Sequence, residues 1–141
     1  MEIFNSPIEL GARIVLLLDR TKGKFGLDEL IFFDYAMIHS ADFDGAINIH
    51  PSLPNQLAEL VRRRDDFPAA LKMFMTKGLI TSTVDEHGIC YSITENGSSL
   101  CGQLTTDYHQ KIRSQASWLL MNLERLRSDK KRIFTMERTV S

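Results

Sequence analysis

Cysteine is scarce in this sequence: Cys90 and Cys101 are its only two, and they form no CxxC pair. That number and spacing suit neither a disulfide framework nor a thiolate zinc site, so a reducing cytoplasm is the expected setting. No stretch reaches the roughly 18 uninterrupted apolar residues of a membrane span. The opening MEIFNSPIEL has no basic stretch leading into an apolar core, so secretion is not expected either. Glycine-rich phosphate loops of the GxxxxGK[ST] or GxGxxG type are missing. Backbone N–H groups therefore have no such turn in which to converge on a nucleotide phosphate. TKGKFG (21–26) has two glycines and two lysines, but it reads as a linker between helices. Net charge is also small, 17 Lys+Arg against 18 Asp+Glu, which leaves no large positive field for holding nucleic acid non-specifically.

What is present fits one domain of ordinary composition, 141 residues with 43% hydrophobic and 25% charged side chains. The charge is unevenly placed. Residues 1–60 hold 4 basic and 9 acidic side chains, 61–104 hold 5 and 5, and 105–141 hold 8 and 4. An acidic front is thus joined to a basic back, and the two ends are expected to face different partners.

Ser6 or Asn5 as cap, Pro7 at the first helical position and Glu9 in the first turn predict a helix over 7–20. Gly11 inside it is costly relative to alanine and suggests that another backbone approaches there. A second helix over 27–40 is apolar on nearly every face and is expected to be well buried. Residues 40–55, with Gly45, Pro51 and Pro54, predict a long loop. Residues 56–64 read as a helix with Leu57, Leu60 and Val61 inward. Asp66-Phe67-Pro68 reads as a fresh start, for a helix with Ala69, Leu71, Phe74 and Met75 on its apolar face. LITSTVDEHGICYSIT (79–94) alternates, breaks at Asp85-Glu86-His87-Gly88 and resumes, which predicts a hairpin over 79–93. Thr94 caps a helix to about Leu104, and Thr105 or Thr106 opens a longer amphipathic one over 105–128. Residues 129–141 read as a basic, frayed tail. The expected class is mainly α with a small hairpin, α+β. The order of helix, hairpin and helix through residue 104 resembles winged-helix domains.

Candidate chemistry is sparse. His39, Asp42 and His50 are the types that bind a divalent metal where thiolate is absent, yet their spacing matches no compact ligand pattern. They read better as helix-end cap and loop anchors. Cys90 or Cys101 with His87 or His109 makes a poor nucleophile–base pair, since Cys90 lies in an alternating strand. Arg62-Arg63-Arg64 can bind phosphates or an acidic partner, or can instead pair internally with Asp65, Asp66 and the acidic front; successive helical residues point about 100° apart, so only one or two can face one partner. Contact with nucleic acid, if made, is assigned to Arg64 and to Lys130, Lys131 and Arg132 within the basic stretch 125–138. The wing tip carries Asp85, Glu86 and His87 where a phosphate-binding wing places cations.

Four runs carry a more specific resemblance: NSPIELGARIVLLLD (5–19), LDELIFFDYAMIHSADF (27–43), HPSLPNQLAELVRRR (50–64) and LKMFMTKGLI (71–80). Together they resemble the middle component of ABC-three-component systems, bacterial gene clusters that include the Lamassu anti-phage systems. The resemblance implies a non-enzymatic adaptor without cofactor or metal, whose partners are an SMC-like ABC ATPase and an effector, often a nuclease. DNA is met through the assembled complex, no membrane is involved, and self-association remains open. The matching positions are read as framework and interface: Asn5, Ser6, Pro7, Asp34, Tyr35, His39, Asp42, His50, Pro51, Arg62 and Arg63. The alternative is a winged-helix transcription regulator that dimerises through 105–126 and places Arg62, Arg63 and Arg64 on DNA.

Overall fold

In the computed structural model, which describes residues 6–45, 47–50 and 56–140, the first helix starts where its cap predicts. Ser6 Oγ accepts the Glu9 N–H at 3.3 Å, and helix α1 (Pro7–Thr21) ends at Lys22 in the left-handed conformation. Leu10 to Leu18 are all buried, while Ile8 is exposed. Helix α2 (Leu27–Ile38) is buried from Leu30 onward, as an all-round apolar pattern requires. It lies at the centre of the domain. A short 3₁₀ turn (Ser40–Phe43) follows, and the ensuing loop is tied back by an isolated bridge between His39 and Asn48.

The chain from 56 to 76 forms one helix, α3 (Gln56–Thr76), with Pro68 inside it, and not the two helices expected. Pro68 removes one backbone hydrogen bond. Phe67, Ala70 and Leu71 on either side are nonetheless buried against the core, and their packing carries the helix through. Val61, Ala69 and Met75 face out, against expectation; the inward side of α3 is set by Leu60, Arg63, Phe67, Leu71 and Phe74. The close approach at Gly11 is likewise made by a side chain and not by backbone. The Phe74 ring of α3 lies against Gly11, and a Cβ there would stand 2.0 Å from its Cε1.

Strands β1 (Ile80–Asp85) and β2 (Gly88–Ile93) pair antiparallel with Asp85 opposite Gly88, as the turn residues predict. Gly88 takes φ 111, a conformation that glycine tolerates. Phe25 adds a single bridge to Tyr91 on the other edge of β2. Thr94 caps α4 (Glu95–Cys101) and Thr106 caps α5 (Asp107–Met121) through their hydroxyls.

The expected single helix over 105–128 is instead two, broken at Asn122. Its side-chain amide donates to the Trp118 carbonyl at 2.8 Å while its backbone carbonyl accepts the Leu126 N–H at 3.0 Å. One residue thus closes α5 and opens α6 (Leu123–Val140). Residues predicted as a frayed tail are helical to Val140, and Leu126, Ile133 and Phe134 are buried, with the Phe134 and Phe32 rings 6.3 Å apart. The basic back lies on the acidic front: Arg127 pairs with Glu29 at 3.1 Å and Arg125 with Asp44 at 3.7 Å. The two ends therefore partly neutralise one another. Among the described residues no helix is long and apolar enough to cross a membrane.

Candidate functional site

Three helices send ionic side chains to the same point, one each from α1 and α2 and two from α3. On α1, Arg13 shares the inward face with Leu10, Ile14 and Leu17, so its guanidinium enters the core. On α2, Asp34 has no solvent-facing side to turn to. The two are fully buried and joined as a fork: Arg13 Nε donates to Asp34 Oδ1 at 2.7 Å and Nη2 to Oδ2 at 3.0 Å. From α3, Arg63 Nη1 donates to the same Oδ2 at 2.5 Å, and its Nε lies 3.4 Å from Glu59 Oε1. Two arginines and two carboxylates thus meet inside the domain.

The cluster extends to α5 and the loop. Arg13 Nη1 lies 3.3 Å from the Tyr108 hydroxyl, which lies 3.0 Å from His50 Nε2, and the His50 and Tyr108 rings stack with centroids 6.0 Å apart. Tyr35 packs on His39, 4.5 Å between ring centroids, and Arg63 lies over the Tyr35 ring at 5.6 Å. Gln115 of α5 clasps the loop, its amide donating to the Met37 carbonyl at 2.7 Å and to Ser40 Oγ at 2.5 Å. Ser40 Oγ in turn donates to the Ile47 carbonyl.

This environment separates the titrations. Burial works against the Asp34 carboxylate, but the charges of Arg13 and Arg63 overcome it and hold the carboxyl below its ordinary range. Arg13, also opposed by burial, is raised by Asp34 and stays charged. Burial and the Arg13 charge push His50 down to about 4, and burial with the Arg63 charge lowers His39. Burial raises the Tyr108 phenol.

A pH dependence follows. The unfolded chain takes up the His50 proton near its ordinary 6.5, the folded chain only near 4, so this stabilisation is complete above pH 6.5 and is lost as pH falls towards 4. His39 acts in the same direction, and Asp34 adds a second loss below its ordinary 3.8. Melting temperature is expected to fall between about pH 7 and pH 5, and to fall less steeply in His50→Gln. Equal slopes for the two proteins would remove His50 from this account.

The residues singled out in the sequence divide by exposure. Asp34, Tyr35, His39 and Arg63 are buried in the domain. Ser6 and Pro7 form the α1 cap. Asp42 is exposed, its carboxylate 3.4 Å from the Asn48 amide, and His50 is half-buried against Tyr108. Arg62 is 65% exposed and reaches Glu59 at 3.4 Å. Asn5, Pro51 and Pro54 lie outside the described residues. Among the described residues, no three His, Cys, Asp or Glu side chains are grouped to hold a metal ion.

The candidate nucleic-acid residues do not form one free cationic surface. Arg64 pairs with Asp28 at 3.6 Å and lies 5.0 Å from the Phe134 ring centroid, and Lys130 lies 5.1 Å from the same ring. Lys130 and Lys131 line a groove of about 210 Å³ that also contains Glu29 and Glu124, and Arg132 pairs with Asp129 at 3.7 Å.

Sequence reasoning missed Arg13, Glu59 and Tyr108 as members of the site. The signal for Arg13 is its place on an apolar face, three residues after Leu10 and four before Leu17.

Fold and site together define, among the described residues, a mainly helical domain with one hairpin, held by an internal ion network. Residues 3–141 match the model of the ABC-three component (ABC-3C) system Middle Component 2 family, and the chain belongs to that family, which makes it one component of a multi-component system. No curated protein and no solved structure matches it.

Proposed function

We propose that this chain is a non-enzymatic adaptor in a bacterial anti-phage or anti-plasmid complex of the Lamassu kind, bridging an SMC-like ABC ATPase and an effector. The observation that carries the reading is the family match over almost the whole chain. The ion network adds support. The polar side chains that gather in the described structure face one another across helix interfaces, which is the chemistry of a rigid frame. Protein contact then falls to exposed positions such as Asp42 and Arg62.

Co-expression with the ATPase and effector encoded beside it is the test. The expected result is a complex of fixed stoichiometry that needs this chain for ATPase and effector to co-purify. ATPase and effector that join equally well without it would overturn the bridging role. The winged-helix regulator reading predicts instead a chain that alone binds a specific duplex with steep salt dependence. The acidic residues at the hairpin tip oppose that reading, because Asp85 and Glu86 are exposed where a phosphate backbone would pass.

A further inference from the structure

The hairpin carries its apolar face past the edge of the domain. In a strand, residues two apart share a face, so Ile80, Ser82 and Val84 on β1 stand with their partners Ile93, Tyr91 and Ile89 on one side. This face begins in the core at Ile80 and ends in solvent, where Val84 is 80% and Ile89 54% exposed as a directly opposed pair. Glu86 follows at the tip, its side chain 85% exposed. Beside the hairpin, the second half of α3 and the start of α2 enclose a mostly apolar groove of about 310 Å³, lined by Leu27, Pro68, Leu71, Lys72, Met75 and Tyr91. Lys72 makes no ion pair with any described residue.

We propose that these two features are complementary halves of one interface, and that a second copy of this chain docks its hairpin tip in the groove. The projecting half is an apolar pair beside a carboxylate; the receiving half is an apolar hollow beside an unpaired ammonium. Tyr91 belongs to both, since it lines the groove and stands two residues from Ile89 on the same face. The halves are therefore contiguous on one side of the domain, as a two-fold interface requires, and one rotation satisfies both grooves. Val84 and Ile89 enter against Leu71 and Met75, and Glu86 meets Lys72 of the other copy. This surface is separate from α5 and α6, and it does not depend on the adaptor reading.

Sedimentation velocity of the full chain over micromolar concentrations tests it. The expected result is a dimer that dissociates on dilution. Val84→Asp with Ile89→Asp is expected to be monomeric throughout and still folded by circular dichroism, because Val84 is 80% and Ile89 54% exposed. Lys72→Glu and Glu86→Lys should each weaken the dimer about tenfold or more, and together should recover it to within roughly threefold of the natural chain. A natural chain that stays monomeric at every concentration overturns the proposal, leaving the groove to another component. So does a dimer that survives the Val84/Ile89 double substitution.

Discussion

Asp34→Asn is expected to destabilise the protein by about 3–5 kcal/mol, the loss typical when one partner of a buried ion pair is removed. The shape of the side chain is kept, so the loss measures charge and not volume. Arg13 and Arg63 would remain buried with the carboxylate that receives both of them neutralised, and among the described residues Glu59 reaches Arg63 and Arg62 only. Domains are typically stable by about 5–15 kcal/mol, so this one substitution removes roughly a fifth or more of an ordinary reserve. The melting temperature should fall by about 10 °C or more. Urea unfolding gives the value directly, and a loss below about 1 kcal/mol would mean that the network contributes little.

The companion variant separates stability from specificity. Replacing the cluster as a unit, Arg13→Met, Asp34→Leu, Arg63→Met and Glu59→Gln, removes the desolvation penalty together with the attraction and is expected to leave stability near or above that of the natural protein. If such a protein folds but no longer assembles with its partners, the ions serve to fix the register of α1, α2 and α3 and the position of His50. If it assembles normally, the ions are not required for assembly, and the measured stability of this variant alone says what the network contributes.

Much of the local structure could be read from residue chemistry that acts over three or four positions. Ser6-Pro7, Thr94 and Thr106 start helices where they should because a hydroxyl and the N–H groups it caps are neighbours in sequence. Asp85 to Gly88 turns the hairpin for the same reason. The errors occur where tertiary packing overrules local chemistry. Pro68 is a sound local argument for a helix start, defeated by Phe67 and Leu71 burying on either side of it. Asn122 looks unremarkable inside an amphipathic run, and breaks the helix because α6 must turn to lay Leu126 and Phe134 on α2.

The site was legible only by parts. Helical geometry allows few of three successive arginines to face one partner, and it is Arg63 that turns inward while Arg62 and Arg64 stay at the surface. Which one does so is decided by Asp34, a residue 29 positions away in sequence. Of the positions that carry the family resemblance, Asp34, Tyr35, His39 and Arg63 are buried, whereas Asp42 and Arg62 are exposed.

Gly11→Ala is the sharpest test of how α1 and α3 pack, because two effects of opposite sign act on it. Helix propensity favours alanine by about 1 kcal/mol. Against this, the new Cβ would stand 2.0 Å from Phe74 Cε1 and 2.4 Å from Cδ1 and Cζ, far inside contact distance. The ring is buried and cannot swing into solvent, so relief requires α1 and α3 to separate or the ring to leave its rotamer. Overpacking of this kind costs about 1–3 kcal/mol, and a clash this deep lies at the upper end, so the net expectation is a loss of about 2 kcal/mol. Phe74→Leu alone should also destabilise, through the space it leaves. In the Gly11→Ala background that space is partly filled by the new methyl. The double variant should therefore be more stable than the sum of the single losses predicts, by about 1 kcal/mol or more. Strict additivity in denaturant titrations would place the cost of Gly11→Ala somewhere other than the Phe74 ring.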